Sequence, residues 1–241
     1  MPLQPNTFRI THPHQWRCFA CAAIALLLAT HVRAQTPYRV KAGSPAALFI
    51  QRLNRDINSM VAGQDSENVH FNARVAAMNA AAPLDPRHLD SASVAANVSR
   101  VIEFTTYLKQ ERHWSDSLTQ SFEDSMFILS AERQPDLKVL DAANDQASFT
   151  IERTAFNTFL GAMSKVYSDV LDVLLFLQHA HYTVVKKNLT FHSRDELAQY
   201  KKLIGFVNAD SKTLNIDNKK LQIANAKANA MTGKKSAVGT L

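Results

Sequence analysis

Phe149, Phe156, Met163, Val170, Leu177 and Val184 stand at every seventh position, with no polar exception. Three residues on lie Phe159, Val166, Val173 and Ala180, and four on lie Leu160, Tyr167, Leu174 and His181. A stripe about three of seven positions wide is the pattern of a core-facing bundle helix rather than of a two-stranded seam. The spacing predicts one helix over 149–184, the longest in the chain, spanning ~54 Å at ~1.5 Å per residue. Leu171, Leu175 and Phe176 fall on the other faces, so this helix is expected to be buried nearly all round.

Glycine and proline support the same fold class. The chain has 6 Gly and 8 Pro in 241 residues, and no Pro after Pro135. Turn-rich β sandwiches need more turn residues than that, and no strand alternation of useful length occurs. The expected fold is all-α: an elongated helical bundle with long antiparallel helices, coiled-coil-like packing and no sheet.

Capping signals divide the rest. Ser44-Pro45 places an N-cap before a first-turn proline, and Phe49, Leu53, Ile57 and Met60 follow before Gly63, read as a C-terminal stop. A second helix is expected over about 66–82, ended by Pro83, with 84–89 a connector. Asp90 or Ser91 caps a third, carrying Val94, Val98, Val101, Ile102 and Leu108, with a pause at His113-Trp114-Ser115-Asp116. Gln134-Pro135 ends that helix and opens the next, and Ala142–Asp145 suggests a kink. Lys186–Thr190 is read as a link. Ser193 and Glu196 form a Ser-x-x-Glu capping box for the last helix. There Tyr200, Val207, Leu214 and Leu221 recur every seven residues, while their companions turn polar at Ser211, Asn218 and Asn225. That helix is therefore expected to loosen toward its end, and to be the least stable part of the fold.

The first 34 residues contain Arg9, Arg17 and Arg33, no acid, and an apolar run from Cys18 to Thr30 ending at Val32-Arg33-Ala34. This is the layout of a secretory signal peptide, cleaved after Ala34, since 13 apolar residues are too few for a membrane span. The chain is thus expected to be exported, periplasmic or secreted. Processing would remove both cysteines, Cys18 and Cys21, so no disulfide or thiol site is expected. The domain layout expected is signal peptide 1–34, linker 35–42, helical bundle 43–231 and a flexible basic tail 232–241.

The usual catalytic routes are closed. The glycines build no phosphate loop, no Gly-x-Ser-x-Gly or His-Glu-x-x-His occurs, and the two Glu-x-x-His motifs that a di-iron bundle uses are not present as a pair. A non-catalytic protein without cofactor or metal is expected. His179 and His181 would point ~200° apart on a helix, with His181 a core or boundary residue. Asp169, Asp172 and His179 share a face, read as polar surface pairing with Lys165 or Lys186.

Charge is uneven. Residues 35–185 hold 13 Lys/Arg against 17 Asp/Glu, and residues 186–241 hold 11 against 4. Lys201, Lys212 and Lys219 lie within ~20° of one another on a helix and mark a basic face that would bind a partner. The partner expected is a protein or a second copy of the chain, with an anionic lipid or polysaccharide surface as the other class. Nucleic acid is excluded, because export removes the encounter and Arg194 and Tyr200 are slight accompaniment for the lysines. The function expected is an exported, non-catalytic helical scaffold or interaction protein of the cell envelope. The alternative is a bundle binding a small apolar or metal ligand through Phe149, Phe156, Phe159, Phe176, Met163 and Tyr167.

Overall fold

The computed structural model describes residues 45–131, 139–185 and 188–233. Residues 1–44, which include the expected signal segment and polar lead, residues 132–138 with Gln134-Pro135, Lys186-Lys187 and residues 234–241 lie outside the described residues. The fold is all-α, a helical bundle. Four helices run in chain order: α1 Pro45–Ala81, α2 Ser91–Ala131, α3 Val139–His179 and α4 Arg194–Gly233, of 37, 41, 41 and 40 residues. A two-stranded antiparallel hairpin, β1 Tyr182–Val185 and β2 Asn188–Phe191, sits between α3 and α4.

The hairpin corrects two expectations. The stripe helix stops at His179 rather than Val184, and a small sheet exists. Tyr182-Thr183-Val184-Val185 is β-branched and aromatic, which favours a pleated, half-exposed strand over a helix end. Val184 lies exposed on β1 instead of in the stripe. Asn188–Thr190, read as part of a link, belongs to the second strand, Asn188–Phe191, with Val185 paired to Asn188 and Tyr182 to Phe191.

Two predicted breaks are continuous helix. α1 runs through Gly63, since a lone glycine costs a helix only about 1 kcal/mol. α2 runs through His113–Asp116 because Glu111 and Ser115 occupy the inward positions after Leu108 and are buried there. The pause in hydrophobicity is a change in what is buried. α3 also continues through Ala142–Asp145.

The described chain forms two compact units, to each of which all four helices contribute. The first comprises residues 73–109 and 160–216. Asp90 caps α2: its carboxylate accepts the Ser93 amide at 2.9 Å and the Ser93 hydroxyl at 2.7 Å. Buried Asn97 donates to the carbonyls of Pro83 and His88 at 3.0 and 3.2 Å, fixing the connector. The Tyr182 hydroxyl donates to Leu89 at 2.6 Å, while Phe104 meets Tyr167 edge-on at 4.7 Å, so α2 and α3 run antiparallel. Arg74 lies over Tyr107 at 5.7 Å, which with the Asn97–Pro83 bond makes α1 and α2 antiparallel too. The core is aliphatic: Val94, Val101, Leu108, Leu160, Val173, Leu174 and Val207 are almost wholly buried.

The second unit comprises the described residues of 45–72, 110–159 and 217–233. Phe71 packs edge-on against Phe156 at 5.8 Å, with Phe149, Phe159 and Leu221 also buried. Glu111, Ser115, Ser148, Arg153, Asp217, Asn218 and Asn225 are buried among them.

Five of the six seven-residue positions, Phe149 through Leu177, are core, as their spacing predicts. The helix is not buried all round, since Leu175 is 40% exposed. Nor does α4 lose burial at its polar positions: Ser211, Asn218 and Asn225 are each buried, and the helix continues to Gly233.

Candidate docking face and polar clusters

The start of α4 is set by its cap and by the hairpin. The Ser193 hydroxyl accepts the Asp195 amide at 3.2 Å and the Glu196 amide at 3.5 Å. Glu196 also reaches the hairpin side of the cap. Its carboxylate accepts the His181 amide at 3.0 Å and meets His181 Nδ1 at 3.2 Å, and the amide bond is the main cause of its lowered pKa. His181 is thus an exposed residue outside the helix, correcting its expected place on the apolar stripe. Phe191 of β2 stacks on Tyr200 at 5.0 Å and on Phe176 at 6.1 Å, seating the first turns of α4.

Tyr200, Val207 and Ser211 then face inward, the Ser211 hydroxyl donating to the Val207 carbonyl. The outward face follows from that anchoring. In the first unit it carries Lys201, Lys202 and Lys212, all exposed, with Phe206 at 49% and Ile216 at 55% exposure. The Lys202 ammonium lies 5.9 Å from the Phe206 ring centroid. In the second unit Lys219 is also exposed. Sequence periodicity found Lys201, Lys212 and Lys219, but not Lys202, Phe206 or Ile216 beside them. Hydrophobicity alone gives no sign that an apolar residue faces out.

Asp210 is the single acid within residues 197–216, and it is engaged. Its carboxylate accepts from Lys165 of α3 at 2.8 Å. That bond, with Asp169 alongside, lowers the pKa of Asp210, whereas burial and the neighbouring Asp210 push Asp169 up to about 6. Lys165, expected to pair with Asp169 or Asp172 along its own helix, is instead hydrogen-bonded across helices to Asp210. Asp172 and His179 are exposed. Among the described residues no group of three or more His, Cys, Asp or Glu is placed to hold a metal ion.

A second polar cluster lies within the second unit and was not found from sequence. Arg153 is only 6% exposed, with its guanidinium 5.3 Å from the Phe149 ring, 5.6 Å from Trp114 and 6.0 Å from Phe156. Burial lowers its pKa to about 10, opposed by the charges of Glu152 and Glu111. Burial likewise pushes Glu152 up to about 7, with Arg153 pulling the other way. One Arg153 guanidinium nitrogen and the Ser115 hydroxyl lack hydrogen-bond partners among the described residues. Beside them Asn157 donates to Asp116 at 2.6 Å.

The aromatic stripe considered for a ligand is occupied by packing: Phe149, Phe156, Phe159 and Met163 are buried, and Tyr167 and Phe176 meet Phe104 and Phe191. No described helix is long and apolar enough to cross a membrane. Fold and site define a helical-bundle protein with a basic outer helix face. No family model, curated protein or solved structure matches the chain.

Proposed function

We propose that the chain is an exported, non-catalytic helical interaction protein of the cell envelope, docking a partner through the basic outer face of α4. The observation that carries this is the company of Lys201, Lys202 and Lys212. They stand exposed with Phe206 and Ile216 on one side of the helix. Long cationic side chains around exposed apolar groups attract an anionic surface and give it something to cover. Export rests on the basic, acid-free leader with its apolar run, and it places such a face where envelope components are met.

The test is site-specific photo-crosslinking in cells producing the chain. A crosslinker at Ala209, exposed on this face, is expected to give adducts, whereas one at Thr106, exposed on α2, gives none. Equal or absent adducts at the two positions would contradict the docking role.

A further inference from the structure

Resting on that docking role, we infer that the surface docked by α4 in the first unit is an anionic lipid bilayer. Lys201, Lys202 and Lys212 would sit on phosphate headgroups, with Phe206 and Ile216 entering between them.

The geometry is that of one helix face. At about 100° per residue, Ala198, Gly205, Ala209 and Ile216 fall within about 20° of a single line along α4. Lys201 and Lys212 lie about 40–60° to one side of it, Lys202 about 40° to the other, with Phe206 beyond Lys202. All are exposed. A helix resting along this line presents lysines on both flanks, and their methylene stems can lie on apolar surface while the ammonium groups reach phosphate. The Lys202–Phe206 pair shows such an arrangement already, an ammonium over an exposed ring. Aromatic rings with a polar neighbour favour the boundary between headgroups and chains.

Charge and size together select the occupant. A second copy of this face would set lysine against lysine. The chain's own first 44 residues contain no Asp or Glu, so they offer no complementary charge. Protein interfaces need a central, well-packed apolar or aromatic cluster. Here the centre line is Ala198, Gly205 and Ala209 with a single large apolar group, Ile216, at its end, and a side chain added at Gly205 would meet nothing within 4 Å. What remains is attraction by several spaced cations plus shallow entry of two apolar groups, which is how peripheral proteins hold to anionic lipid. No described helix spans a bilayer, so the association would be peripheral.

Flotation of the purified protein with lipid vesicles tests this. Binding is expected to vesicles containing about a quarter phosphatidylglycerol, not to pure phosphatidylcholine, and to weaken as salt is raised. Each lysine contributes on the order of fivefold, so the combined Lys201→Gln, Lys202→Gln and Lys212→Gln variant should bind about a hundredfold more weakly. Phe206→Ser with Ile216→Ser should also weaken binding, while Lys109→Gln, exposed on α2, should not. Circular dichroism confirms that each variant is folded. No binding, equal binding to neutral vesicles, or binding unchanged in the triple lysine variant would overturn the inference. If vesicles fail yet the Ala209 crosslinker captures a protein, the lipid assignment falls and the docking role stands. If Ala209 gives nothing in cells, the docking role itself falls.

Discussion

The two units use the same helical repeat to bury different chemistry. In the first, the inward positions of α2 and α3 are Val94, Val101, Leu108, Leu160, Val173 and Leu174, with Asn97 and Ser211 as buried polar residues. In the second, the same helices continue inward with Glu111, Ser115, Ser148 and Arg153, and α4 adds Asp217, Asn218 and Asn225. Phase is preserved while hydrophobicity is lost. Aliphatic burial stabilises in proportion to area, about 25 cal/mol per Å². A buried polar group returns little beyond recovering the water it gave up, and costs about 1–3 kcal/mol where its partner is missing. The second unit should therefore be the weaker, because it buries polar groups and not because it buries less.

The largest effects should fall on the aromatic-caged arginine. Arg153→Ala would remove a buried positive charge near Glu111 and Glu152 together with its packing on three aromatic rings, and is expected to cost about 3–5 kcal/mol by urea denaturation. Phe156→Ala, which removes the ring shared by Phe71 and Arg153, should cost a similar ~3–5 kcal/mol. If charge compensation is the cause, Arg153→Met combined with Glu111→Gln recovers most of the arginine loss. An equal loss in the pair would show that Arg153 acts by packing alone.

An intermediate effect is the pH response of Glu152. Its folded pKa of about 7 lies above the ordinary 4.5, so the folded state holds the proton more tightly. Stability from this group is full below pH 4.5 and is lost as pH rises toward about 7, by up to about 3 kcal/mol. Glu152→Gln should flatten that part of the stability profile, and an unchanged slope would remove Glu152 as its source. The smallest effect is at Ser115, whose buried hydroxyl has no partner among the described residues. Ser115→Ala is expected to stabilise by about 1 kcal/mol, whereas destabilisation would mean that the hydroxyl is satisfied.

Helix formation was legible in the sequence because periodicity and caps act locally. The spacing from Phe149 to Leu177 located a core helix, and Asp90 and Ser193 located two helix starts. Gly63 misled because a lone glycine costs a helix only about 1 kcal/mol, less than packing on either side supplies. The hairpin was hidden for two reasons. Ala180, His181 and Val184 extend the seven-residue pattern past His179, and Lys186-Lys187 lacks the Gly or Asn that marks a two-residue turn. Lys201 and Lys212 of the docking face were found by helical angle, as were the polar positions of α4, but Lys202 was not. That Ser211, Asn218 and Asn225 are buried was not, since a polar residue on a stripe reads as exposure until its neighbours are known. Arg153 and Glu111 escaped for the same reason. The Lys165–Asp210 bond joins residues 45 apart, a pairing that no local spacing encodes.

Native-state hydrogen exchange compares the two units most directly. Amides of Val94–Leu108 and Leu160–Leu177 should exchange only through global unfolding. Those of 148–157 and 217–228 should exchange through openings of lower free energy, lowered further as pH approaches 7. Protection of 217–228 and 148–157 equal to that of Leu160–Leu177 would contradict the account: the polar core would then be no weaker than the aliphatic one.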